Sequence, residues 1–354
     1  MAGGIGSRFW PYSRTDRPKQ FLDILGTGQT LLQQTIRRFS HICPIGNIMI
    51  VSNEEYGPLI HEQVPEIKDT QILLEPLRRN TAPCIAYANQ RIAMINPNAN
   101  IIVTPSDHLI ADEPEFKRVL LEGLDFVKNR DVLLTLGIMP NRPETGYGYI
   151  QVNRHEDIDE NKNLRPVKTF TEKPDLDLAK IFVESGDFFW NSGMFIWSLE
   201  SITHAFEKYL PEIQGLFHDG LQLYGTPEEA SFIRQVYEGC DKISIDYGIM
   251  EKADNVYVLC ADFGWSDIGT WGSLYEHLVH DESENGIGNG QAITFQANRN
   301  VIHVPKDKLT VVQGLDDYII VDTDDVLLIC RKDDEQQIRM MVKEVKLRGG
   351  GKFI

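Results

Sequence analysis

The sequence predicts an α/β protein with a mostly parallel sheet, followed by a small all-β unit. Three observations carry that expectation. Up to about residue 138, apolar runs rich in β-branched residues alternate with longer stretches of helical spacing, the pattern of strand–helix–strand units with helices on both sheet faces. The polar, glycine-rich stretch HDESENGIGNG (280–290) then interrupts the chain and marks a boundary. Beyond it, the short apolar runs QAITF, NVIHV, LTVVQG and YIIVDTDDVLLIC are split by Asn, Gly and Asp, which are turn residues. The expected division is a larger unit over 1–280 and a β unit over 285–354.

In chain order, NIMIVSN (47–53), QILLE (71–75), NIIVTPSDH (100–108) and DVLLTLGI (131–138) read as buried strands. Residues 30–42, 54–63, 80–95 and 113–129 read as the helices between them. After Ile138 the pattern changes. GYGYIQVN (146–153), PVKTFTEKP (166–174) and FFWNSGMFIWS (188–198) are strands separated by turns and one helix, and a helical block spans about 199–253. NVYVLCADFGWSDIGTW (255–271) adds a strand and a loop, and DEQQIRMMVKEVK fits a helix close to the end. No internal repeat of 20–50 residues stands out, and the β unit is compatible with a short solenoid.

The 354 residues carry a net charge of −17, with 42% hydrophobic and 25% charged residues, the make-up of an ordinary globular protein. That charge opposes binding to nucleic acid or to anionic membranes, and no apolar run reaches the 18 residues of a membrane helix. Five scattered cysteines (Cys43, Cys84, Cys240, Cys260, Cys330), with no CxxC pair and no signal-peptide pattern, lead us to expect reduced thiols and a cytoplasmic location. Within 1–40, however, six basic residues (Arg8, Arg14, Arg17, Lys19, Arg37, Arg38) stand against Asp16 and Asp23, a local +4. A basic patch on an acidic protein suits a small anion.

That patch surrounds AGGIGSRFWP, with Gly3, Gly4 and Gly6 ahead of Arg8. It is neither G-x-x-x-x-G-K-[ST] nor G-x-G-x-x-G, since Phe9 stands where a third glycine would be. The second failure disfavours an NAD-binding oxidoreductase. Glycines let several backbone N–H groups face one concavity, while Arg8 can fork onto phosphate and Lys19 adds a point charge. A tight turn with solvated charges is the plainer alternative for the glycines alone.

Asp107 ends the apolar run NIIVTPSDH, and Asp267 lies far away in GWSDIGTW. Two carboxylates from separate strands suit one Mg²⁺, although capping explains either Asp alone. In EPLRRNTAP, Glu75 sits at a strand end and Asn80 at an expected helix N-cap. A carboxylate there can accept from guanine N1–H and N2–H₂, but solvent exposure for Glu75 and capping for Asn80 are the defaults. His108 has no partner that the sequence identifies.

With AGGIGSRFWPYSRTDRPKQF on the page, the chain resembles the sugar-1-phosphate nucleotidyltransferases, and most of all the bacterial mannose-1-phosphate guanylyltransferase branch. EPLRRNTAP (75–83), TPSDHLI (104–110), FTEKPD with FWNSGMFIW (170–175, 189–197) and SIDYGIMEK with GWSDIGTW (244–252, 264–271) agree, in the family's order. The resemblance implies a Rossmann-like mixed sheet of the nucleotide-diphospho-sugar transferase type. It also implies a left-handed β-helix-like C-terminal unit with a role in dimerisation, hence a homodimer. In the family a buried strand precedes the glycine loop, whereas only Met1 precedes it here. The first strand is therefore expected to be missing, leaving two ladder edges open.

The implied reaction joins GTP and mannose 1-phosphate into GDP-mannose and pyrophosphate, with Mg²⁺ on Asp107 and Asp267. Arg8 and Lys19 would be catalytic. Ala2, Gly3, Gly4, Gly6, Ser7, Arg8, Lys19, Glu75, Asn80, Pro105, Ser106 and Asp107 would bind the nucleotide, the choice of guanine resting on the family. Gly146, Tyr147, Glu172, Lys173, Asn191 and Gly193 would hold the sugar phosphate. Another hexose 1-phosphate, another nucleotide, or a non-catalytic GDP-mannose-binding subunit are the alternatives. Some family members add an isomerase domain; with no His-x-His cluster, that activity is not expected here.

Overall fold

The computed structural model describes residues 1–4, 7–153 and 163–354. Strands form where the apolar runs lie, shortened at their polar ends: β1 (Ile50–Asn53), β2 (Ile72–Glu75), β3 (Asn100–Val103), β4 (Leu109–Ile110), β5 (Leu133–Ile138), β6 (Gly148–Val152), β7 (Leu164–Glu172), β8 (Phe188–Ser198), β9 (Val256–Ala261) and β10 (Trp265–Ser266). Helix starts follow the capping side chains. At α1 (Leu31–Ser40), Thr30 and Gln33 cap one another reciprocally. The expected helix at 54–63 divides into a 3-10 turn (Glu54–Tyr56) and α2 (Gly57–Gln63). Asn80 caps α3 (Thr81–Ile95), Asp112 caps α4 (Glu113–Val127), Asp175 caps α5 (Leu176–Ser185) and Ser198 caps α6 (Leu199–Tyr209). The helical block continues with α7 (Pro211–His218) and α8 (Glu229–Gly239).

Six strands form the main sheet in the order β3-β8-β5-β9-β7-β6, with β6 also touching β8. The sheet is mixed: β5 and β9 are parallel, while the long β8 runs antiparallel to β3, β5 and β6. Every residue of β5 is buried, as its unbroken apolar run requires of a central strand. β1 and β2 make a separate parallel pair. Antiparallel β4 and β10 pair Leu109 with Ser266 and Ile110 with Trp265. That register brings the segments carrying Asp107 and Asp267 side by side.

Next come α9 (Trp271–Tyr275) and the β unit: β11 (Val279–His280), β12 (Gly286–Ile287), β13 (Gln291–Phe295), β14 (Val301–His303), β15 (Leu309–Gln313), β16 (Tyr318–Asp322) and β17 (Leu327–Arg331), then α10 (Ile338–Leu347). β12, β14 and β16 stack in parallel on one face, and β13 and β15 on another. Buried Asn300 donates to Asn285 Oδ1 (2.9 Å) and accepts from the Tyr318 amide (2.8 Å), tying successive coils at their corner. All five cysteines are free thiols. Among the described residues no helix is long and apolar enough to cross a membrane.

One apolar cluster joins distant parts of the chain. Phe9, Trp10, Ile268 and Trp271 pack with Val301, Ile319, Val321 and Ile338. Trp271 is fully buried, its ring 5.0 Å from Phe9 and 5.4 Å from His303. Trp10 Nε1 donates to the Phe353 carbonyl (2.7 Å). Thus the β unit backs directly onto the glycine loop and the Asp267 loop.

A second feature lies between β1 and β3, neither of which has a strand on its facing edge among the described residues. An apolar cleft of about 330 Å³, lined by Leu32, Ile36, Val51, Ile85, Ile101 and Val103 among others, separates them. Met1 and Ala2 close one end: the Met1 amino group donates to the Thr104 carbonyl (2.7 Å), and the Ala2 amide to the Val51 carbonyl (2.8 Å).

His303 is buried with no hydrogen-bond partner at either ring nitrogen. Burial pushes its pKa down to about 4, against a small opposing pull from Asp23. The unfolded chain, near 6.5, therefore takes up the proton first. Stability from neutral His303 is complete above pH 6.5 and is lost as pH falls towards 4, by about 3 kcal/mol. His303→Leu is expected to flatten the denaturation midpoint against pH over that window. Parallel curves for the two proteins would show that His303 contributes nothing to acid sensitivity.

Candidate active site

The site is assembled from loops at the carboxyl ends of strands, as sheets of this kind place their ligands. Ala2 is buried, and its carbonyl accepts from Gln20 Nε2 and Ser52 Oγ (both 2.8 Å). Gln20 Nε2 also reaches the Gly4 carbonyl at 3.0 Å, so one amide side chain holds the glycine loop. Gly3 is half-buried and Gly4 exposed. Gly6 lies outside the described residues; Ser7 begins the turn Ser7–Phe9 that carries Arg8.

Lys19 is buried at the centre. Its Nζ lies 2.9 Å from Asp107 Oδ2 and donates to the carbonyls of Asp267 and Ile268 (3.2 Å to the latter). Thus one cation ties together the two loops that bear the aspartates. Burial alone would raise the Asp107 pKa, but Lys19 and His108 more than offset it and hold the carboxyl below its ordinary value. Arg8 flanks the same place: a Cβ built on Gly269 would lie 2.8 Å from Asp267 Oδ2 and 3.3 Å from Arg8 Nη1. Arg8 Nε is buried with no hydrogen-bond partner.

His108, without a partner on sequence grounds, has one here. Its Nδ1 accepts from Trp265 Nε1 at 3.1 Å, and Nε2 lies 4.0 Å from Asp107 Oδ1. Desolvation first, then Lys19, push His108 down in pKa against the pull of the two aspartates. Ser106 is buried, its amide donating to the Met1 carbonyl (3.0 Å) while its Oγ has no partner. Pro105 lies near Gly193, whose Cβ would meet Pro105 Cγ at 3.7 Å.

Glu75 departs from its default. Instead of facing solvent it is buried at the end of β2, accepts from Tyr237 Oη (2.8 Å), and has its pKa raised by desolvation to about 7. Gly3 adjoins it: a Cβ there would sit 3.5 Å from Glu75 Oε2. The strand end is covered because α8, with Tyr237, folds over it, a contact 162 residues distant in sequence. Asn80 is the cap of α3, accepting from the Thr81 amide (3.0 Å) at a positive φ of 71°.

A second group lies alongside. β6 and β7 pair Gly148 with Glu172, and a Cβ on Gly148 would clash with Glu172 Oε2 at 2.4 Å, so the carboxylate's position requires glycine. Lys173 ion-pairs with Glu172, and its amide donates to the Tyr147 carbonyl (3.1 Å). The Gly146 amide donates to Glu144 Oε1 (3.0 Å). Asn191 Nδ2 donates to Asp246 Oδ1 (2.8 Å), and its Oδ1 accepts from Thr135 Oγ1 (3.2 Å) and the Gly193 amide (3.1 Å). Asp246, buried beside Glu172, has its pKa raised by desolvation and then by that neighbour. It lies within SIDYGIMEK, a motif from which the sequence singles out no site residue. Tyr147 Oη donates to Asp267 Oδ1 (2.6 Å), joining this group to the first.

Asp107 and Asp267 offer hard oxygen donors, and each has one oxygen engaged, by Lys19 and Tyr147 respectively. No group of three or more His, Cys, Asp or Glu gathers among the described residues. A Mg²⁺ ion fits such a pair, because it binds through one or two carboxylates and completes its shell with phosphate and water oxygens.

Known proteins resemble the chain in both of its units. The nucleotidyl transferase family model matches residues 1–284, and that of a MannoseP isomerase/GMP-like beta-helix domain matches 290–345. A mannose-1-phosphate guanylyltransferase of Sinorhizobium fredii is 34% identical, over 98% of this chain and 67% of that protein. One from Escherichia coli (strain K12) is 33% identical, over 99% and 73%. A solved structure from Thermus thermophilus, described as a mannose-1-phosphate geranyltransferase, superposes with a TM-score of 0.85 at 30% identity and covers 98% of both chains. Similarity of this extent, running through both units, means that the chain belongs to the mannose-1-phosphate guanylyltransferase family of nucleotidyl transferases.

Proposed function

We propose that this protein transfers a guanylyl group from GTP to mannose 1-phosphate, giving GDP-mannose and pyrophosphate. The observation that carries the reading is the convergence of Arg8, Lys19, Asp107 and Asp267 beside a second polar group containing Glu172, Lys173 and Asn191. One group suits a nucleoside triphosphate and the other a phosphorylated sugar. A phosphate oxygen of mannose 1-phosphate attacks the α-phosphorus in line as the bond to the β-phosphate oxygen breaks. The phosphate is already a nucleophile, so no side chain needs to remove a proton. The protein's contribution is placement and charge.

Lys19 and Arg8 stabilise negative charge on the α-phosphate and the departing pyrophosphate. Lys173, released from Glu172, holds the attacking phosphate, and Glu172 accepts from sugar hydroxyls. The glycine-loop amides and Ser106 meet the nucleotide, and Glu75, in the ionised form that prevails above its pKa of about 7, accepts from guanine. Mg²⁺ on Asp107 and Asp267 would supply charge neutralisation to the phosphates. GTP chemistry and five free thiols fit the cytoplasm, and the family suggests a homodimer.

Pyrophosphate release with mannose 1-phosphate and Mg²⁺ tests the proposal, comparing GTP, ATP, UTP, CTP and dTTP. GTP-selective release is expected. Selectivity for another nucleotide would overturn the assignment of Glu75 to guanine, and no release from any would favour a GDP-mannose-binding regulator.

A further inference from the structure

The loop between β10 and α9 carries Asp267 and holds an unfavourable backbone. Ile268 has φ of 40°, a conformation that β-branched residues strongly disfavour. Something must hold it there. At the upstream end Ser266 Oγ accepts from the Ile268 amide (3.1 Å). At the downstream end the restraint comes from the β unit: Glu335, in the 3-10 turn Lys332–Gln337 before α10, accepts from the Gly272 amide through Oε2 (2.7 Å). A Cβ on Gly272 would lie 3.1 Å from both carboxylate oxygens, so close an approach depends on glycine there. Trp271, between those two contacts, is locked by Phe9 and His303.

We propose that Glu335 is a positioning residue by which the C-terminal β unit sets the Asp267 loop for metal–nucleotide binding. The inference rests on the reading of Asp267 as a metal ligand. Glu335 is well placed for the role because it reaches the loop from a different unit, and because its carboxylate also lies within the electrostatic reach of Arg8. The β unit thus contributes to the reaction without touching a substrate.

The test follows Mg²⁺-dependent GTP binding through the fluorescence of Trp265 and Trp271, which flank the loop, without sugar phosphate. Glu335→Ala is expected to raise the half-saturating Mg²⁺ concentration up to about tenfold, the low end of the effects of losing a direct partner of a metal ligand, because Glu335 acts on the loop and not on Asp267 itself. Glu335→Gln keeps an oxygen that accepts from Gly272 and should restore most of the affinity. The KM for mannose 1-phosphate should stay unchanged in both. A lowered melting temperature with an unaltered Mg²⁺ titration would mean that Glu335 is structural only, and would overturn the proposal. Asp267→Asn serves as the reference. If it too leaves the titration unchanged, the ligand reading falls and the proposal with it; if only Glu335→Ala is silent, the proposal alone falls.

Discussion

Lys19→Ala is expected to lower the turnover number about 10²–10³-fold, roughly 3–4 kcal/mol of transition-state stabilisation. The size follows from where the ammonium group sits. Lys19 is buried, 2.9 Å from Asp107 Oδ2, and donates to carbonyls of the Asp267 loop. In this low-dielectric setting its charge acts on transferring phosphate with little screening. Removing it also leaves the partly exposed Asp107 without its cation, which adds a loss of stability smaller than that of a fully buried pair. Lys19→Met keeps most of the side chain's volume and separates packing from charge. Both variants should show the turnover loss at saturating substrates in a pyrophosphate-release assay, with circular dichroism verifying the fold. Near-normal turnover in either would remove Lys19 from the mechanism.

Trp271→Ala is expected to destabilise the protein by about 3–5 kcal/mol, the range for losing a large buried aromatic. The ring is fully buried between Phe9 and His303, so the void would open where three parts of the chain meet. A urea midpoint reports the total loss. Hydrogen exchange locates it: amides of the glycine loop and of β14 and β16 should lose protection together, while those of β5 should not. Loss confined to α9 would show that the units are not coupled through this residue.

Much of this architecture could be read from the chain, because the strands of an α/β sheet are nearly continuous apolar runs. DVLLTLGI announces β5, and FFWNSGMFIWS matches β8 residue for residue. What the runs do not encode is direction: β8 enters antiparallel between β3 and β5, a choice made by connections and packing. The same limit applies to the site. Lys19, Asp107 and Asp267 stand in recognisable motifs; the register of β4 with β10 sets the two aspartate loops side by side, and Lys19 bridges them. The partner of His108 depends on that register too, since Trp265 reaches it only across the pair. Solvent exposure is the wrong default for Glu75 because α8 covers it from far along the sequence. Glu335 belongs to a run of charged residues, KDDEQQ, in which nothing marks one carboxylate as different.

Trp10 and Phe353 are joined by a hydrogen bond across 343 residues. That bond, with the apolar cluster around it, bears on how the protein is born. A ribosome delivers Phe9 and Trp10 about 300 residues ahead of Val301, Ile319, Val321 and Ile338, against which they pack. Contacts so distant in sequence form late, after the costly closure of a very long loop. Until then the nascent chain holds the residues of the candidate site without the scaffold that orders them. Competence is therefore conferred only once Val301 to Ile338 have emerged, and a chain terminated before them has the residues of the candidate site without its shape.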